Sequence, residues 1–180
     1  MPRSAPRSVH ERQENVRKIM AIVAAALVAG CVSTTTSPPP DLASVKFDPA
    51  ASAYVLAKGD GAIEGQAYVR SVSNGIMPAK GSRVILLPVT PYHEARIAAI
   101  YGTDKAIEAG SKTIPNPPAA FGKYQRIATA DDEGRFTFRN VAPGQYFIIT
   151  SVAFPKRQIG LYDRVKVTAG ETTRITVTGS

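Results

Sequence analysis

From Gly61 onward, apolar and polar residues alternate in short runs separated by turn residues. Ile63, Gly65, Ala67 and Val69 occupy every second position, the period at which side chains of an extended chain share one face. Ser73-Asn74-Gly75 and Lys80-Gly81 then mark turns. Arg83-Val84-Ile85-Leu86-Leu87-Pro88 is almost continuously apolar, which predicts a strand buried on both faces. The clearest hairpin runs from Gln125–Ala130 through Asp131-Asp132-Glu133-Gly134 into Arg135–Arg139. Gly134 can take a positive φ and close that turn, so that Phe136 and Phe138 face one way and Arg135, Thr137 and Arg139 the other. In Asn140-Val141-Ala142-Pro143-Gly144, the Pro-Gly pair predicts a type II turn leading into the strand Tyr146–Thr150. Val165/Val167 and Ile175/Val177 flank Ala169-Gly170-Glu171 as a last hairpin. About seven short strands at regular turn spacing predict an all-β fold, an antiparallel β-sandwich.

Two stretches break this pattern. Between Pro88 and Gln125 lie 36 residues, 89–124, too many for an ordinary sandwich connection. Within them Tyr92–Tyr101 is made of helix formers with Ile97, Ile100 and Tyr101 at helical spacing, and Pro91 suits the first turn. A short helix plus a loop is expected there, decorating one edge or end of the sandwich, either as a binding surface or as cover for a sheet edge. The other break is the N-terminus. A basic stretch ending at Arg17-Lys18 precedes the apolar run Ile19–Val28, then Ala29, Gly30 and Cys31. That run is shorter than the roughly 20 residues a membrane-spanning helix needs, so a cleaved export signal is expected. Ser33–Pro40 is low-complexity and polar, a spacer by composition, and Tyr54-Val55-Leu56 is either a short strand or a clasp against the domain.

Val28-Ala29-Gly30-Cys31 resembles the lipobox of bacterial lipoproteins. The resemblance implies cleavage between Gly30 and Cys31, acylation of Cys31 and attachment to the membrane. Val32, rather than Asp, follows the cysteine; by the sorting rule that goes with the resemblance, this favours the outer membrane, facing the periplasm. A second resemblance lies in the sandwich. Thr129–Arg139 followed by Asn140-Val141-Ala142-Pro143-Gly144-Gln145-Tyr146 is similar to the signature of carboxypeptidase regulatory-like domains, which have a transthyretin-like sandwich. The likeness extends over about 63–150 and implies a fold rather than an activity. The expected organisation is a signal peptide at 1–30, a lipid-anchored and disordered tether at 31–57, and the sandwich at 58–180 with its insertion at 89–124.

Net charge is +8, but residues 1–30 supply +3 of it, and the remaining basic residues are scattered, which argues against a nucleic-acid face. After the signal, His93 is the sole histidine and Cys31 the sole cysteine, and no catalytic or metal-binding motif is present. No cofactor, metal or enzymatic activity is expected. Tyr92, His93, Arg96, Tyr101, Phe121 and Tyr124 in the insertion are the expected binding surface. The leading expectation is a non-catalytic accessory module that engages another envelope protein. The alternative is a glycan-binding module using exposed aromatics among Tyr92, Tyr101, Phe121 and Tyr124 for sugar stacking; the absence of Trp counts against it.

Overall fold

The computed structural model describes residues 41–73 and 75–179; the expected signal peptide, Gly30, Cys31 and the first part of the tether lie outside the described residues. The described chain opens with a one-turn helix α1 (Pro49–Ser52), capped by the Asp48 carboxylate, and a 3-10 turn at Ala53–Leu56. It continues through β1 (Lys58–Ser71), β2 (Gly75–Pro78), β3 (Arg83–Pro88), helix α2 (Pro91–Tyr101), β4 (Ala106–Glu108) and a 3-10 turn at Phe121–Lys123. The remaining strands are β5 (Arg126–Thr129), β6 (Arg135–Val141), β7 (Gly144–Ala153), β8 (Gln158–Val167) and β9 (Thr172–Gly179).

These strands form the expected sandwich of two sheets. In one, the long β1 is central: β6 and β2 pair with successive halves of one edge, and β9 runs parallel along the other. That parallel pair is the departure from a purely antiparallel arrangement. The second sheet, in order β4-β8-β7-β3-β5, is antiparallel throughout. Ile63, Ala67, Phe136, Phe138 and Val177 of the first sheet meet Val84, Leu86, Ile148, Val152 and Leu161 of the second in a continuous core.

The turn at Gly134 is as expected, with a φ of 76° and Arg135 donating to Asp131 from both backbone and side chain. The strands it joins do not form the expected hairpin: β5 pairs with β3 in the second sheet and β6 with β1 in the first. The turn after β6 is not as expected. Gly144 does not take a positive φ; Asn140 does, at 54°. Between the pairs Ile63↔Phe138 and Gly61↔Val141, β6 spends one residue more than β1. Asn140 is thus the extra residue of a bulge, and Asn tolerates the left-handed conformation this requires. The bulge turns Val141 into the core, where it is fully buried. Gly144 serves another end: a Cβ there would come within 2.9 Å of the Tyr54 ring.

That ring belongs to the clasp foreshadowed at Tyr54-Val55-Leu56. Its hydroxyl accepts from Val89 N at 2.7 Å and donates to the Gln145 carbonyl, and the ring lies 5.2 Å from that of Tyr146. Val55 is 1% exposed. The packed part of the chain therefore begins before Lys58, and the expected tether boundary at 57 is corrected to a point upstream of Phe47.

Candidate functional site

The insertion covers a face of the second sheet as well as an edge. Thr90 caps α2, Pro91 opens it, and Gly102 ends it at a φ of 64°. Its apolar stripe, with Ile97 and Tyr101, lies over Leu87 of β3 and Phe147 of β7, while Tyr101 stacks 4.4 Å from Tyr162 of β8. Glu94 is held to Arg164 at 2.9 Å. Farther along, β4 adds an edge strand to β8. The expected edge decoration is therefore present at β4, and the insertion in addition covers the apolar outer face of β3 and β7.

This placement turns the predicted binding residues inward. Tyr92, His93 and Tyr101 are 7%, 1% and 4% exposed, so they offer no surface for a ligand to stack on. Phe121 and Tyr124 are half-buried, and with Tyr92 and His93 they surround Phe47, whose ring lies 5.4 to 6.0 Å from each of theirs. Phe47 was not anticipated, because it sits in a stretch that reads as spacer. Arg96 is half-buried; its guanidinium lies over the Phe121 ring and donates to the Pro115 carbonyl at 2.8 Å. Burial raises the Tyr101 hydroxyl to about 12. Burial and, secondarily, the Arg96 charge lower His93 to about 4.

Between α2 and the sheet these residues leave a cavity of about 110 Å³, walled by Ile85, Leu87, Ile97, Ile100, Phe121 and Ile149. Three polar side chains also reach it: His93, Arg96 and Gln125.

A larger and more polar depression lies where the end of β1, the end of β9 and the edge strand β4 converge. Ala106 and Gly179 touch there so closely that a Cβ on Gly179 would meet Ala106 Cβ at 2.5 Å. One hollow, of about 710 Å³, is lined by Tyr68, Arg70, Asp104, Lys105 and Thr178. Another, of about 540 Å³, shares Arg70, Ala106 and Gly179 and extends past Ser71 to Glu108 and Arg157. Both volumes are in the range of small-molecule sites, roughly 300–1,000 Å³. Arg70 sits 5.8 Å from the centre of the half-exposed Tyr68 ring, and Lys105 is steadied by Asp163. The cleft thus presents donors, carboxylates, hydroxyls and one aromatic face. Among the described residues no group of three or more His, Cys, Asp or Glu is arranged to hold a metal ion. Sequence reasoning missed this cleft because its walls come from segments far apart in the chain.

Residues 103–175 match the family model described as polysaccharide lyase family 4, domain II. No curated protein matches the sequence. Among solved structures, a Pseudomonas aeruginosa protein described as a candidate carbohydrate-binding protein superposes with a TM-score of 0.61 at 24% identity, over 74% of this chain and 98% of that one. A minor pilin of Streptococcus agalactiae is a much looser fit, with a TM-score of 0.33 at 9% identity over 68% of this chain and 44% of its own.

Proposed function

We propose that the chain is a lipid-anchored envelope protein whose sandwich binds a carbohydrate in the cleft between β1, β9 and β4. The observation that carries the binding part is the cleft itself. Sugars present many hydroxyls in fixed directions and apolar C–H faces, so a site for them needs several charged or amide partners and an aromatic plane. Arg70, Asp104, Lys105 and Tyr68 meet that description. The family model reaches the β4 wall of the cleft and bears a carbohydrate-related name, and the P. aeruginosa neighbour shares the fold. The turn signature at 129–146 supports placing the sandwich beside carboxypeptidase regulatory-like domains as well.

A protein partner docking on the insertion has less behind it, because Tyr92, His93 and Tyr101 are turned against the sheet. The anchoring part of the proposal rests on Val28-Ala29-Gly30-Cys31: cleavage after Gly30, acylation of Cys31, and retention in the outer membrane facing the periplasm. Two acyl chains would hold such a protein stably, at about 0.8 kcal/mol per buried methylene.

Binding is tested on a glycan array with the purified protein, followed by titration of any retained glycan against wild type, Tyr68→Ala and Arg70→Ala. Each variant should weaken binding by about tenfold or more while leaving the fold intact. A retained glycan bound equally by all three would place the site elsewhere; no retained glycan would remove the carbohydrate reading. Anchoring is tested separately by mass spectrometry of the membrane-extracted protein, which should begin with an acylated Cys31; an unmodified cysteine would sink it.

A further inference from the structure

The cavity under α2 is distinct from the cleft, and its polar atoms are specific. Thr90 Oγ1 lies 2.7 Å from His93 Nδ1 and also accepts, weakly, from the His93 backbone N–H at 3.5 Å. The buried Thr90 hydroxyl must place its own hydrogen, and His93 Nδ1 is the acceptor within reach. With the Thr90 hydroxyl assigned as donor to Nδ1, the imidazole proton is placed on Nε2. That nitrogen is buried and has no hydrogen-bond partner, the one such side-chain atom among the described residues. Phe47 and Phe121 flank the ring and offer π faces rather than lone pairs. A buried unpaired N–H is costly, which makes it an informative exception.

Arg96 brings donors to the cavity that His93 also lines. One of its nitrogens is committed to the Pro115 carbonyl, and the guanidinium pairs with no carboxylate among the described residues. The rest of the wall is Ile, Leu and Phe. Two donors, one of them cationic, beside an apolar chamber call for a ligand with an anionic acceptor at one end and a small hydrocarbon body. An apolar cavity of about 150 Å³ accommodates benzene; at about 110 Å³ this one suits a short branched chain.

We infer that the space between α2 and the outer face of β3 and β7 is a binding site for a small apolar carboxylate, its anionic oxygens held by His93 Nε2–H and Arg96. The branched body lies among Ile85, Ile97, Ile100 and Ile149. Gln125 stands at the same wall to orient the second oxygen.

The probe is isovalerate, titrated into the purified full-length chain and followed by NMR on the His93 imidazole and the Ile149 methyl groups. The expected dissociation constant is on the order of 1 mM for so small a ligand. Isoamyl alcohol, with the same body and no charge, should bind about tenfold more weakly to the unmodified protein, a comparison that needs no variant. Arg96→Met and His93→Phe should each bring isovalerate down to the level of the alcohol measured on the same variant. Isovalerate that leaves both sets of signals unmoved, or binds no better than the alcohol, overturns the assignment. A loss of alcohol binding in both variants would show a collapsed cavity and no carboxylate recognition, and would overturn the assigned roles of His93 and Arg96.

Discussion

Acidification should weaken the fold through His93, and the size of the effect can be worked from its surroundings. The ring is 1% exposed, sits among Phe47, Tyr92 and Phe121, and has Arg96 nearby. Burial first, and the Arg96 charge second, lower its pKa to about 4, against about 6.5 in an unfolded chain. The unfolded state therefore takes up a proton more readily than the folded one. Its neutral ring contributes fully above about pH 6.5, the contribution declines as pH falls, and it levels off below the folded-state value. Between pH 7 and pH 5 the loss is at most about 2 kcal/mol, at 1.36 kcal/mol per pKa unit. The Asp131 carboxyl is held below the usual carboxylate range by the Arg135 backbone N–H and guanidinium, so it titrates beneath this window. Urea unfolding of wild type and His93→Phe at the two pH values checks the reasoning: the midpoint should fall in wild type and fall much less in the variant. Equal shifts in both proteins would refute it. So would an imidazole that titrates near pH 6.5 in the folded protein.

Three further outcomes follow from the packing. Gly134 and Gly81 both take positive φ, but a Cβ on Gly134 would lie 2.3 Å from the Ala67 carbonyl oxygen, whereas one on Gly81 meets nothing within 4 Å. Gly81→Ala should cost about 1 kcal/mol and Gly134→Ala about 3 or more by urea unfolding; equal costs would show that conformation alone matters. Val55→Ala removes two buried methyl groups from a residue 1% exposed. It should cost about 2–3 kcal/mol in the same assay, where a residue in a mere spacer would cost nothing. Tyr54→Phe keeps the ring against Tyr146 and removes the hydroxyl's bonds to Val89 and Gln145, which predicts a loss of about 1 kcal/mol and faster amide exchange at Val89.

The strands were legible because alternation is local. Phe136 and Phe138 carry the period in three residues, and the sandwich buries both. Pairing partners were not, because they depend on distant segments: the expected last hairpin does not form, since β8 stays in the second sheet beside β7 while β9 crosses to the first and runs parallel to β1. The turn after β6 was misjudged for a related reason. Pro143-Gly144 has the composition of a type II turn, yet Asn140 takes the left-handed conformation, because one residue must be absorbed for Val141 to reach the core. The cleft was invisible for the strongest form of the same reason. Tyr68, Asp104, Lys105 and Thr178 become neighbours only once β1, β4 and β9 have converged.

The position of the insertion, by contrast, was already implied by the strands it covers. The outer face of the first sheet carries Glu64, Gln66, Arg135, Thr137 and Arg174, all exposed, with Arg174 paired to Glu64 at 3.4 Å. The equivalent face of the second sheet carries Ile85, Leu87, Phe147 and Ile149. A strand as uniformly apolar as Val84–Leu87 needs cover on both sides, and a two-layer sandwich supplies only one. Leaving that outer face wet would expose an apolar patch spanning two adjacent strands. The chain meets the need with the segment that directly follows β3, so α2 lies back over the face that β3 has just built. In doing so it commits Ile97 and Tyr101 to the sheet and draws Tyr92, His93 and Phe121 in around Phe47. The aromatic residues that suggested an exposed surface are thus the ones the fold needs for cover, while Tyr68 and Arg70 at the far end of β1 line the open cleft beside β4 that is proposed above as the carbohydrate site.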